Sequence, residues 1–243
     1  MFQKTKAPTM KTFLTATAFG LAATAAAATP VTLDYQSASA ASTKRVIIES
    51  SPVPIPGVTA LPTRVGAYGF VMRDVSGDLG DFVAFCVDLA NALDTNGTAD
   101  YTITDDPFDN TFKIGRDRVQ ALFDSNYASV DVTDGVQAAA FQLALWEVVY
   151  DSEFDLDAGS VQGRGAGSDA AAITATAGGY LSAAASYAGG RVWDLTFLEG
   201  TGAPQSQNIV TASLAAVPLP AGGLLLVAAL GGLGGLRQGR REV

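Results

Sequence analysis

The chain has 243 residues, with 15 Lys and Arg against 24 Asp and Glu, and no histidine. That composition excludes a Ser-His-Asp triad, a Cys-His dyad and a His-ligated zinc site, and a single cysteine excludes an internal disulfide. Between residues 46 and 216 the balance shifts to 7 basic against 22 acidic residues, a field that repels nucleic acid and anionic membrane, so no nucleic-acid partner is expected.

The N-terminal segment reads "MKTFLTATAFGLAATAAAATP" from Met10: Lys11, then an apolar run, then small residues. This is the three-part layout of a secretory signal peptide, assigned to residues 1–28. Ala26 and Ala28 satisfy the A-x-A cleavage rule, and Ala38 with Ala40 forms a second candidate, so cleavage as late as residue 40 is allowed. Residues 29–45 read as a linker, and residues 46–216 as one exported domain long enough for a proper core.

Within that domain "RVIIES", "GAYGFVMRD" and "DFVAFCVDL" read as strands, the last after the turn "VSGDLG". The acidic stretches at 94–100 and 104–110 carry oxygen ligands suited to calcium, but neither has EF-hand spacing, and no metal is assigned. "RDRVQALFDSNY" places Val119, Leu122 and Phe123 at helical spacing, and "VTDGVQAAAFQLALWEVVY" follows as a helix of about four turns capped by Thr133 or Asp134. "GRGAG" at 163–167 lacks the strand-then-helix setting of a phosphate loop and reads as a flexible loop. An Ala-rich helix capped by Ser168 comes next, with Gly178 and Gly179 expected to break it in two. "RVWDLTFLEG" alternates Trp193, Leu195 and Phe197 on one face, and "QSQNIVTASL" is the expected last strand. Strands flanking a helical middle make the domain α+β, a β-sandwich or barrel with a helical insert.

Residues 217–236 then run without a charge, about the length of a bilayer core, and Arg237, Arg240 and Arg241 stop the run on the cytoplasmic side. Val217, Pro218, Leu219, Pro220 and Ala221 precede the apolar span. Residues 217–243 therefore resemble the PEP-CTERM class of sorting tails in its VPLPA variant. The resemblance implies a Gram-negative host, transient anchoring in the inner membrane through the C-terminal transmembrane helix, and processing by an exosortase-type enzyme.

Two residues stand out chemically. Cys86 sits in "AFCVDL", where strand alternation puts Val83, Phe85, Val87 and Leu89 on the expected core face and turns Cys86 and Asp88 away from it. Gln142 sits in "AAFQLALWEVVYD", beside Ala138, Ala139, Leu145 and Trp146 on a helix face too apolar to be left in water. An unpaired amide there costs about 1–3 kcal/mol, so something should engage it. Phe85-Cys86-Val87, followed by Phe141-Gln142-Leu143-Ala144-Leu145-Trp146, resembles the paired motifs of bacterial thioester domains found on surface adhesins. In that family the cysteine and glutamine side chains condense, with loss of ammonia, into an internal thioester that captures an amine on a surface or matrix partner.

The resemblance implies a Cys86–Gln142 bond, with Phe85, Phe141, Asp88 and Trp146 as supporting residues. Trp146 would shield the bond, and Asp88 would take up a proton or stand as an exposed strand-end carboxylate. No cofactor is needed, and the chain would be no enzyme beyond a single-turnover reaction on itself. Between residues 46 and 236 the only lysine is Lys113, in keeping with a protein that carries an amine trap. The other reading is a structural or matrix-associated surface protein of the same fold with an unreactive cysteine. Nothing in the scattered acidic residues selects a catalytic carboxylate pair.

Overall fold

The computed structural model describes residues 29–77, 79–104 and 115–216. The signal peptide at 1–28, the sorting tail at 217–243 with Val217, Pro218, Pro220, Ala221, Arg237, Arg240 and Arg241, and Lys113 lie outside the described residues. Among the described residues no helix is long and apolar enough to cross a membrane.

Six antiparallel strands close into a barrel in the order β1-β4-β5-β9-β8-β6. They are β1 (Thr29–Ala38), β4 (Phe70–Asp74), β5 (Asp81–Cys86), β6 (Thr98–Thr104), β8 (Trp193–Gly200) and β9 (Ile209–Leu214). A second, three-stranded sheet runs β3-β2-β7, from β2 (Lys44–Ser50), β3 (Thr63–Ala67) and β7 (Gln162–Gly165). Three helices, α1 (Arg116–Asn126), α2 (Gly135–Tyr150) and α3 (Ala170–Ala185), pack together, and α2 lies between β5 of the barrel and all three strands of the small sheet. The domain is α+β, with the helical part inserted between barrel strands.

The position of α2 explains its sequence. Every residue from Ala138 to Tyr150 is buried, so the helix is apolar all round instead of amphipathic. It starts where Asp134 turns its carboxylate onto the N–H groups of Val136 (2.7 Å) and Gln137 (3.1 Å), satisfying two of the donors a helix start leaves open.

Several expectations change. Residues 29–45 are no linker: they carry β1, paired with β4 on one side and β6 on the other, and the start of β2. The "GAYGFVMRD" strand is split into the end of β3 and all of β4, which belong to different sheets. "GRGAG" contributes β7, not a loop. A side chain at Gly163 would press on Ile47 O and Leu143 Cδ1, both 3.0 Å from its Cβ, so glycine lets β7 lie close against α2. The Ala-rich helix is capped at Asp169, not Ser168, and runs unbroken through Gly178 and Gly179. Those two glycines face open space while Ile173, Ala177 and Leu181 anchor the helix from its buried side, and packing overrides their low propensity.

Candidate functional site

Cys86 is the last residue of β5. On the strand register Ala84 faces Phe70 and Cys86 faces Ile209, which faces Leu198 in turn. These are the buried residues of the inward face, so Cys86 points with the barrel interior and not away from it. The intervening Phe85 is fully buried in the core, as expected, but on the outer face of the barrel, against the helices. Both faces of β5 are covered, the inner by the barrel and the outer by α2, and alternation alone could not say which was which.

Phe85 meets Phe141 of α2 edge to face, with ring centroids 5.0 Å apart, and Phe141 meets Phe123 of α1 at the same separation. This aromatic stack fixes the residues immediately before Cys86 and Gln142, and so sets the height of α2 over β5.

The result is a paired contact between the two central residues. The Cys86 N–H donates to Gln142 Oε1 at 2.9 Å, and Gln142 Nε2 donates to Cys86 O at 2.7 Å. Val87 N–H is bonded to Asn208 O on the side of β9, so the Cys86 peptide groups face the other way, toward the end of β4. The Gln142 amide docks there as a neighbouring strand's peptide would. It therefore lies near the plane of the sheet, while the Cys86 side chain stands off that plane. Gln142 is 1% exposed and Cys86 8%.

Burial sets the electrostatics of the site. Burial pushes the Cys86 thiol well above its ordinary value, and the Asp88 charge adds to the rise, so the sulfur rests protonated. Asp88 is not the exposed strand-end carboxylate of one expectation. It is buried, which raises its own pKa, and its oxygens accept the N–H groups of Asn91 (3.0 Å) and Asn208 (2.8 Å). Gln207 Nε2 also donates to the Asp88 carbonyl. Asp88 thus ties the segment after β5 to the approach to β9, at the barrel mouth.

Cys86, Gln142 and Trp146 line a common cavity of about 290 Å³, whose outer wall includes Ile55, Leu93 and Gln207. Among the described residues no charged side chain lines it. Trp146 is 2% exposed, and its indole N–H has no partner among the described residues. All six residues singled out from the sequence converge: Cys86, Gln142 and Trp146 at the cavity, Phe85 and Phe141 behind it, and Asp88 beside it.

The solved N-terminal domain of the Streptococcus pyogenes pilus tip adhesin Cpa is similar to this chain. The alignment has 12% identity and a TM-score of 0.41, and covers 75% of this chain and 99% of that one. No protein-family model matches the sequence, and no curated protein matches it.

Other parts of the site are not legible in the sequence. Tyr150 accepts the Leu89 N–H at 3.0 Å through its hydroxyl, and Gln207 reaches the site from 119 residues away. Two of the acidic side chains in the stretch at 94–100 have structural partners: Asp94 accepts from Asn96 N within its own turn, and Asp100 from the Thr32 hydroxyl on the neighbouring strand β1. Among the described residues no group of three or more His, Cys, Asp or Glu is placed to hold a metal ion. The stretch at 104–110 falls, but for Thr104, outside the described residues.

Proposed function

We propose that Cys86 and Gln142 condense into an internal thioester, and that the domain uses it to bind an amine-bearing surface or matrix target covalently. The paired hydrogen bond between the Gln142 amide and the Cys86 backbone carries this reading. It holds the Gln142 amide against the backbone of the residue that carries the sulfur, and the Cys86 N–H polarises the carbonyl. In the first step the Cys86 sulfur attacks Gln142 Cδ, the C–N bond breaks, and ammonia leaves with the thiol proton. In the second an amine attacks the same carbon, the C–S bond breaks, the sulfur regains a proton, and a secondary amide remains. Burial of both side chains keeps water from the bond until an amine enters the cavity. Among the described residues the amine of Lys44 is held at 2.8 Å by Asp169, which disfavours capture of the protein's own lysine.

The surrounding chain fits export. Cleavage after Ala28 leaves β1 whole, whereas cleavage after Ala40 removes a strand that bridges β4 and β6. We therefore place the signal peptide at 1–28. The tail at 217–243 directs the domain to an exosortase-type enzyme and then to the cell surface or matrix of a Gram-negative bacterium.

The second reading, a structural surface protein with an inert cysteine, is favoured by the raised thiol pKa, which denies Cys86 a standing thiolate. Intact mass separates the two. The native protein should weigh one ammonia less than its sequence, the Cys86→Ala variant should show no deficit, and methylamine should restore the missing mass with its own carbon added. A full mass and a titratable thiol in freshly unfolded native protein would sink the covalent reading.

A further inference from the structure

We propose that the indole N–H of Trp146 is the second donor, beside the Cys86 N–H, to the oxyanion that forms on Gln142 when its carbonyl carbon becomes tetrahedral. The inference rests on the thioester reading and assigns Trp146 a chemical role, where shielding alone would need only its bulk.

Three observations carry it. Trp146 lies one helical turn after Gln142 and lines the same cavity, and long helical side chains lean back over the preceding turn, here the one that bears Gln142. Its Nε1 is shut off from solvent and has no hydrogen-bond partner among the described residues. A buried donor left unpaired is costly, and it is rare enough in folded proteins to call for a reason. Gln142, whose carbonyl oxygen would become the acceptor, lines the same cavity and is 1% exposed.

In the resting amide the carbonyl oxygen is planar and already bonded to the Cys86 N–H at 2.9 Å. When sulfur or an amine adds to the carbon, the C=O π bond opens, the electron pair moves onto oxygen, and the oxygen leaves the amide plane. The charge then needs a second donor, and it collapses back to a carbonyl as ammonia or sulfur departs. A donor idle in the ground state and used only at the charged stage accelerates both steps without stabilising the starting amide.

The test compares native protein with Trp146→Phe and with a chain carrying β-(3-benzothienyl)alanine at position 146, which keeps the bicyclic shape but replaces N–H by sulfur. The readouts are the rate of methylamine capture by intact mass and the thermal midpoint. Both variants should capture methylamine about 100- to 1000-fold more slowly, in line with loss of one oxyanion donor. The benzothienyl variant should melt at or above the native midpoint, because it buries no unpaired donor. Native rates in the benzothienyl variant would overturn the assignment, whether or not Trp146→Phe is slow, since bulk alone would then suffice. Absence of the ammonia deficit in native protein is a different result: it overturns the thioester itself, and the donor role with it.

Discussion

Helix α2 buries two polar side chains, Gln142 and Glu147, and treats them in opposite ways. Toward β5, the Gln142 amide has its oxygen and its nitrogen each matched to the backbone of Cys86. At the C-terminal end, Glu147 is fully buried, yet only Oε1 is bonded, to the Asp155 N–H at 3.1 Å, while Oε2 has no partner among the described residues. Burial, with Asp151 close by, pushes the Glu147 pKa up to about 8, so this end of the helix carries a neutral acid at neutral pH. A neutral amide paired at both ends is held in one orientation, as the proposed condensation needs, whereas a half-paired acid only costs stability.

The largest effect should come from making the first end resemble the second. Gln142→Glu puts a carboxylate oxygen against Cys86 O, where the native amide donates at 2.7 Å. Breaking a buried pair so that a charge is left uncompensated costs about 3–5 kcal/mol, and the variant should lose that much in denaturant titration at pH 8. It should also show no ammonia deficit, having no amide nitrogen to expel. Acid should narrow the stability gap, because the introduced carboxyl, once protonated, can donate to Cys86 O again. A variant equally stable at pH 8 and pH 5 would mean that the amide's pairing with Cys86 contributes little.

The reverse change, relieving the second end, should be smaller and opposite in sign. The folded-state pKa of Glu147 is raised, from 4.5 to about 8, so the folded protein holds a proton that the unfolded chain releases. Stability tied to this group is fully present below about pH 4.5, falls as pH rises, and is lost once pH passes about 8. Glu147→Gln removes the dependence. Each pH step between the two pKa values is worth ~1.4 kcal/mol, less whatever screening and relaxation recover. The variant should therefore gain about 2–4 kcal/mol at pH 9 and almost nothing at pH 4. Equal gains at both pH values would show that the benefit is packing and not the proton.

The same helix marks how far the sequence can be read. Gln142 is conspicuous because a primary amide in an unbroken apolar run needs a partner, and Cys86 because it is the lone thiol; pattern is enough to find the strand and the helix that bear them. Which way Cys86 faces is not legible, since β5 is covered on both sides and alternation carries no sign in such a strand. Strand β1 hides behind its Thr, Pro and Ser content, although Val31 and Leu33 alternate into the core. Strand β6 hides within a stretch that looks like a cation loop, where Tyr101 is buried inside the barrel and bonds Ser206. The closed barrel and the cavity depend on pairings as remote in sequence as Ala84 with Thr211, which local periodicity does not report.

Asp88 gives the smallest effect and the finest distinction. Its two oxygens each hold a backbone N–H, from Asn91 and Asn208, and Asp88→Asn would turn an amide nitrogen on one of them. One lost hydrogen bond to a charged acceptor is worth about 1.5–3 kcal/mol, reduced here because the native carboxylate is itself desolvated, so a loss of about 1 kcal/mol is expected. If Asp88 serves only to tie the barrel mouth, the variant should still lose its ammonia in full. The Cys86 thiol should ionise more readily in a Gln142→Ala background, since the neighbouring negative charge is gone. If Asp88 instead carries the proton from sulfur to the leaving nitrogen, Asp88→Asn should stay folded yet keep the full mass of its sequence. Stability and mass move together only if the carboxylate does both, and the paired backbone bonds argue that its work is structural.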